Sequence, residues 1–346
     1  MEPEELRQRL ARFPSLALAD YPTPLARLER LTSHVGGPEL WIKRDDGIGP
    51  GMGGNKTRKL EYLLAEALEQ GKRKVVTYGG LQSNHVRITA AACAMLGLEA
   101  HLLFFERRPR ELQGNLLLDR LFGARLHFIP FGGGSSGAMS LETVIRLVKA
   151  AALPLAGRGA YHIPGGGHNV RGCLGYVKCA LELHEQLAEQ GLLDRPATLV
   201  TACGTGGTLA GLMAGLALLE SPVQLLGIDV GKLWKGFPAS IARLASDLCM
   251  ELGSPRRFEA ADVPIIEGRY VGPGYAAFTE AAGAAVRIVA EQEGILLDPI
   301  YTGKAMAGLL DLAAKGRFID GQRAIFLHTG GEPGLWAGSG DRGAVP

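Results

Sequence analysis

Short runs of aliphatic and β-branched residues recur along the chain, each followed by a longer stretch with apolar positions three and four apart. KVVTYGG reads as a strand, NHVRITAAACAMLG as a helix and AHLLFFE as a strand again. GNLLLDRLFG, ARLHFIP, TVIRLVKAAALPLA and AYHIPGG continue the alternation. VRGCLGYVKCALELHEQLAEQG predicts one long helix, then strand TLVTACG, helix TLAGLMAGLALLE and strand VQLLGIDV. Three further helices, ASIARLASDLCMEL, FTEAAGAAVRIVAEQEG and GKAMAGLLDLAAKG, surround or precede a last strand, AIFLHTGG. Strands alternating with helices of ten or more residues predict an α/β fold built on doubly wound, mainly parallel sheets. Ligands of such sheets sit beyond the carboxyl ends of strands. The loops TYGGLQSNH, PGGGHN, ACGTGGT and HTGGEPG therefore carry the interest.

Composition narrows the classes. With 346 residues, 47% of them hydrophobic and 21% charged, the chain can fill a large core and suits two domains. The net charge is +2 with both signs interleaved, and the basic run Arg107-Arg108-Pro109-Arg110 is short. With no aromatic platform beside it, a nucleic-acid partner is not expected. The longest apolar run, Leu209 to Leu219, is too short to span a bilayer, and MEPEELRQRLARFP lacks the apolar core of a secretory signal. Five cysteines, odd in number and without a CxxC pair, predict reduced thiols and a cytoplasmic location. Cys203 reads as a small buried hydrophobe beside a glycine-rich loop.

In Ala202-Cys203-Gly204-Thr205-Gly206-Gly207-Thr208 a strand exits into glycines and threonines as a helix begins. Unpaired N–H groups at a helix start carry partial positive charge and cradle a phosphate. The loop matches neither GxGxxG nor the P-loop pattern, and no acidic residue is placed for a ribose, so a lone phosphate suits it better than a dinucleotide. Taken alone it is equally a tight strand–helix turn. Ser83-Asn84-His85 reads either as a helix cap or as a carboxylate-binding helix start with a hydroxyl near the reacting carbon. Tyr275 and Tyr301, bounded by glycine and proline, can stack on a ring or carry protons. Thr329 ends the last strand with a hydroxyl able to bond a ring nitrogen or a phosphate. Lys56, in GGNKTRKLE, follows two glycines at what reads as the first turn of a helix. A lysine amine that attacks a carbonyl must be partly neutral, through desolvation or nearby cations such as Arg58 and Lys59. Such a lysine together with a single-phosphate loop is what pyridoxal phosphate requires.

Trp41-Ile42-Lys43-Arg44-Asp45-Asp46, GGNKTRKLE, LQSNH, GTGGT, DPIYTGKAMAGL and HTGG, in this order, resemble the D-cysteine desulfhydrase / 1-aminocyclopropane-1-carboxylate deaminase family of pyridoxal 5'-phosphate enzymes. The resemblance runs from about Tyr21 to about Gly334. It implies the fold type of the tryptophan synthase β subunit, with a large domain of residues 1–60 plus 167–346 and a small inserted domain, 61–166, able to close the cleft. It further implies a small amino-acid substrate and a homodimer. By that resemblance Lys56 is the Schiff-base lysine and Asn55 the partner of the cofactor's phenolic oxygen. Gly204, Thr205, Gly206, Gly207 and Thr208 form the phosphate loop. Ser83, Asn84 and His85 hold the substrate carboxylate, Ser83 adding a catalytic hydroxyl. Tyr275 and Tyr301 are the active-site tyrosines, and Thr302 meets the pyridine nitrogen. Lys56 or a tyrosinate then takes the α-proton, the β-substituent leaves, and pyruvate and ammonia follow.

Family deaminases usually read QSNQ and YEGK, whereas this chain reads QSNH and YTGK as the desulfhydrases do. A hydroxyl holds the ring nitrogen protonated less well than a carboxylate, which suits elimination of a good leaving group. D-Cysteine is thus the expected substrate, with 1-aminocyclopropane-1-carboxylate or another β-substituted amino acid such as L-cysteate as alternatives. His168, Trp234 and Glu332 depart from the family pattern; His168 and Glu332 lining the pocket would imply a substrate other than cysteine, and His168 keeps the cysteate alternative open.

Overall fold

In this computed structural model the described residues are 1–130, 141–157, 159–231, 233, 236–318 and 321–337. The strands are β1 (Leu25–Arg27), β2 (Glu39–Arg44), β3 (Lys74–Tyr78), β4 (Glu99–Phe104), β5 (Arg125–Phe128), β6 (Tyr161–His162), β7 (Ala197–Cys203), β8 (Gln224–Asp229), β9 (Ile265–Ile266) and β10 (Arg323–His328). The helices are α1 (Pro3–Leu10), α2 (Glu29–Val35), α3 (Lys56–Glu69), α4 (Asn84–Met95), α5 (Gly114–Leu121), α6 (Leu141–Ala156), α7 (Val170–Glu189), α8 (Gly207–Leu218), α9 (Phe237–Glu251), α10 (Glu280–Glu293) and α11 (Thr302–Ala314).

Two sheets result. The larger runs β1-β2-β10-β7-β8-β9 and the smaller β5-β4-β3-β6. All pairings are parallel except β1 against β2. Central strands β7 and β10 are buried along their whole length, as expected of parallel strands covered on both faces. The smaller sheet takes every strand from residues 74–162.

Helix α3 belongs to both halves. Leu60, Leu63, Leu64 and Ala67 pack in the cluster beneath the smaller sheet, while Tyr62 joins a cluster of the larger one. The domain boundary drawn at residue 60 from the sequence falls inside this continuous helix.

Strand β2 escapes a periodicity reading because Glu39, Lys43 and Arg44 interrupt its apolar residues. The structure buries Lys43 all the same, on an ion pair with Glu182. Arg58 completes the knot, donating from Nε to Asp45 Oδ2 at 2.7 Å and from Nη1 to Glu182 Oε2 at 2.9 Å. Tyr176 donates to the same Asp45 oxygen at 2.7 Å. Burial alone would raise the Glu182 pKa, but Arg58 and Lys43 outweigh it and hold it down at about 2. This knot ties α3 to β2 and α7.

Candidate functional site

A cavity of about 370 Å³ opens where the carboxyl ends of both sheets meet, a size within the usual range for small-ligand pockets. Loops after β3, β4, β6, β7, β8 and β10 all reach it.

Lys56 is the first residue of α3 and lines this cavity. The glycines before it are required. Gly53 has φ +67°, and a Cβ there would fall 2.4 Å from the Asp46 carbonyl oxygen. Gly54 has φ +128° and lies against Thr329, whose carbonyl accepts from Asn55 N at 3.1 Å. The turn thus presses the lysine's backbone onto the end of β10. Among the described residues the Lys56 amine has no hydrogen bond or ion pair, and burial followed by the Lys59 charge pushes its pKa well below the ordinary lysine value. Arg58, expected from sequence to add to this effect, faces away onto Asp45 and Glu182. The cation that acts is Lys59, one turn further along α3. Its buried amine donates to Gly166 O at 3.0 Å and lies against Gly207 at the start of α8.

The loop from β7 to α8 has the build of an anion cradle. Gly206 caps α8 with φ +85°, and a Cβ there would meet Ile241 at 2.5 Å. The turn therefore aims the first N–H groups of a twelve-residue helix toward the cavity. Gly204, Thr205, Gly206 and Thr208 line it, and Gly207 opens the helix itself. Asn55 Nδ2 donates to Thr208 Oγ1 at 3.1 Å, locking the lysine turn to the cradle and leaving its second amide N–H for a ligand.

Across the cavity, Ser83 caps α4 and accepts weakly from Val86 N at 3.4 Å, so its hydroxyl proton stays available. Asn84 and His85 follow on the first turn. His85 Nε2 is 2.8 Å from Thr77 Oγ1, which itself donates to Ile163 O, so the network assigns the proton to Nε2. Burial, then Lys56 and Lys59, push the His85 pKa well below the ordinary value and keep the ring neutral. Its buried Nδ1 has no partner among the described residues.

Tyr275 and Tyr301 share a short hydroxyl–hydroxyl hydrogen bond, their rings 6.1 Å apart and inclined at 64°. Burial raises both pKa values; the shared bond lowers that of Tyr275 and raises that of Tyr301 further, and either hydroxyl can donate. Both are phenols at neutral pH, which disfavours a resting tyrosinate as base.

Thr302 is placed differently from the expectation. Its buried hydroxyl donates to Asp298 Oδ1 at 2.7 Å and accepts from Asp298 N at 2.8 Å, and it does not line the cavity. Thr329, at the end of β10, does line it, as do Thr205 and Thr208 of the cradle. Asp298, which the sequence reading passed over, organises this end: Ile300, Tyr301 and Thr302 each donate a backbone N–H to its carboxylate at 2.8 Å. An aspartate just ahead of a helix start was the available signal.

His168 and Glu332 do not line the cavity. His168 lies buried behind Thr205, its pKa driven down to about 3 by burial and by Lys59. Trp234 falls outside the described residues. Glu332 packs beside Asp46 and His328, with His328 Nε2 3.6 Å from Glu332 Oε1 and 4.0 Å from Asp46 Oδ2. These three could surround a metal ion, but both ring nitrogens are engaged. Nδ1 accepts from Gly330 N at 3.2 Å and Nε2 donates to Leu296 O at 2.9 Å.

Burial and the neighbouring Asp46 and Asp298 raise the Glu332 pKa to about 7. A raised folded-state pKa gives stability that is present below the unfolded value and lost as pH rises through the folded one. Melting temperature of the wild type should therefore fall, relative to E332Q, as pH rises from about 4.5 to about 7. Parallel melting curves for the two proteins across that window would refute this.

The residues fit pyridoxal phosphate. One anion cradle with a buried lysine beside it suits a single phosphate, a suppressed amine suits an aldehyde, and an apolar-walled space between them suits a ring. Comparison with known proteins agrees. The model of the pyridoxal-phosphate dependent enzyme family matches residues 16–330. The chain is 40% identical over 341 residues to the D-cysteine desulfhydrase of Serratia proteamaculans, covering 96% of this chain and 98% of that protein. It is 40% identical over 335 residues to that of Klebsiella pneumoniae, covering 95% and 98%. A crystal structure of an ACC deaminase homologue superposes with a TM-score of 0.83 at 36% identity, covering 97% of each chain. Threonine deaminase isoform 2 from Solanum lycopersicum shares the fold, with a TM-score of 0.61 at 16% identity and coverage of 96% and 85%. The chain belongs to the pyridoxal-phosphate dependent enzyme family.

Proposed function

We propose that this enzyme is a lyase that converts D-cysteine and water to pyruvate, hydrogen sulfide and ammonia. The observation that carries the reading is the arrangement around Lys56: a suppressed amine between an anion cradle and a second helix start bearing Ser83 and Asn84. Bound pyridoxal phosphate supplies an aldehyde for the substrate amine and a ring that withdraws electrons from its α-carbon. The protein does the rest. The cradle from Gly204 to Thr208, with Lys59 behind it, holds the phosphate, and Asn55 donates to the phenolic oxygen. Ser83 and Asn84 hold the substrate carboxylate. Lys56, released when substrate arrives, takes the α-proton. The Tyr301–Tyr275 pair, protonated at rest, is set to give a proton to the departing sulfur.

Glu106 favours a neutral thiol over a sulfonate. It is the one carboxylate among the described lining residues, and Leu81 N donates to its Oε1 at 3.3 Å at the rim of the cavity. A negative charge there works against an anionic β-substituent such as that of cysteate. Release of 2-oxo acid from D-cysteine, L-cysteine, L-cysteate and 1-aminocyclopropane-1-carboxylate, measured in parallel, tests the assignment. D-Cysteine should lead; faster turnover of cysteate or of the cyclopropane substrate would replace it.

The same reading takes the enzyme as a homodimer. Exposed Leu117 and Leu121 lie on α5, against which the turn bearing exposed Trp336 packs. Exposed Met52 stands on the adjacent loop, whose Gly51 abuts Phe122. Apolar groups grouped this way mark an interaction face, and sedimentation of the purified chain decides the point. Five buried free cysteines support a reducing, cytoplasmic setting. Among the described residues, no helix is long and apolar enough to cross a membrane.

A further inference from the structure

Arg87 plays no part in the chemistry described so far, yet it is fully buried at the edge of the site. It sits on the first turn of α4, one turn after Ser83. Its guanidinium forms no ion pair with a carboxylate among the described residues. Instead it reaches out of the smaller half and grips the loop that precedes Lys56. Nη1 donates to Gly51 O, and Nη2 donates to Gly53 O at 3.1 Å. Nη2 also lies 3.5 Å from Asn84 Oδ1. A planar fork reaching three oxygens is a use of arginine that lysine cannot reproduce.

Asn115, at the start of α5, works on the same amide. Its Nδ2 donates to Asn84 Oδ1 at 2.9 Å and to Gln82 O at 2.9 Å. With two donors on Oδ1, the orientation of the Asn84 amide is assigned: Oδ1 faces Asn115 and Arg87, and Nδ2 is the end left over. That nitrogen has no partner among the described residues and lies 2.9 Å from where a Cβ on Gly331 would stand. Asn84 lines the cavity, and the same Gly331 position also meets Asp298 Oδ1 at 2.7 Å.

We propose that Arg87 is a positioning residue which, with Asn115, turns the Asn84 amide donor toward the substrate carboxylate and couples that turn to the glycine loop carrying Lys56. The inference rests on Ser83–Asn84 as the carboxylate turn. Arg87 holds Asn84 and the carbonyls of Gly51 and Gly53 at once, so the carboxylate donor and the lysine loop keep one spacing. Asn115 touches only the first of these, which makes the two residues separable by experiment.

The test uses holoenzyme, glycine as an amino acid without a leaving group, and methylamine as the same molecule without its carboxylate. Displacement of Lys56 by either is followed in the cofactor's visible absorbance, and the pH midpoint of that absorbance is measured without ligand. In N115A, glycine should bind about tenfold more weakly, the loss of one oriented hydrogen bond to a charged group. Methylamine binding and the pH midpoint should not change. In R87K, glycine should weaken by at least as much, and the pH midpoint should move as well, because the lysine loop has lost its clamp.

Glycine binding within twofold of wild type in N115A overturns the proposal, as does methylamine weakening in step with glycine. N115A alone decides the orientation of Asn84 if R87K does not fold. If wild-type holoenzyme ignores glycine while methylamine still displaces Lys56, the carboxylate-turn reading itself fails. The pH midpoint of R87K then decides the coupling to Lys56 separately; an unmoved midpoint overturns it.

Discussion

Lys56→Ala should lower turnover by at least about 10³-fold, since it removes the amine that holds the cofactor and the base that takes the α-proton. A positioned general base alone contributes about 10²–10⁴. The same substitution should leave melting temperature unchanged or raised. The Lys56 amine lines the cavity without a hydrogen bond or ion pair among the described residues, and Lys59 repels it. Removing it breaks no polar contact of the fold and relieves that repulsion. Added methylamine should restore part of the activity by supplying the missing amine. Turnover within tenfold of wild type, measured on protein cleared of contaminating enzyme, would remove Lys56 from the mechanism.

Arg58→Met should be the most damaging single change to stability. It leaves Asp45 and Glu182 buried without their guanidinium, and breaking a buried pair from one side costs about 3–5 kcal/mol. The change should also alter acid sensitivity. Glu182 is held at about 2 chiefly by Arg58 and then Lys43, so its contribution to stability is present above the ordinary carboxylate range and lost only as pH falls toward 2. Without Arg58 the Glu182 pKa should rise, so the variant should lose less stability than wild type as pH falls from about 4.5 toward 2. Denaturant unfolding at neutral and acidic pH measures both effects. A cost below about 1 kcal/mol would mean that solvent or Lys43 takes over the arginine's role.

Much of the fold was legible because parallel strands buried on both faces are continuous apolar runs, as in TLVTACG and AIFLHTGG. β2 was not, because its buried charge, Lys43, is satisfied by a residue far along the chain, Glu182. Tertiary pairing of that kind leaves no periodic trace. Within the site, glycine turns and strand exits were readable as local chemistry, which is how Lys56, Ser83 and the cradle came together. What could not be read was direction. Arg58 and Lys59 are neighbours in sequence, and nothing local says that one faces a carboxylate knot while the other faces the cradle. Thr302 and Thr329 differ in the same way. Each has a hydroxyl near a strand or helix end, but Asp298 takes one and leaves the other to the cavity. His168 and Glu332 drew attention as unusual residues, and neither lines the cavity.

The seating of α3 in two cores has a mechanical consequence. A helix packed in both cores resists a swing of the smaller sheet against the larger, and Lys56 is at its end. Arg87 ties α4, with Ser83 and Asn84, to the loop before that lysine. The carboxylate grip and the amine therefore hold one separation across the cavity.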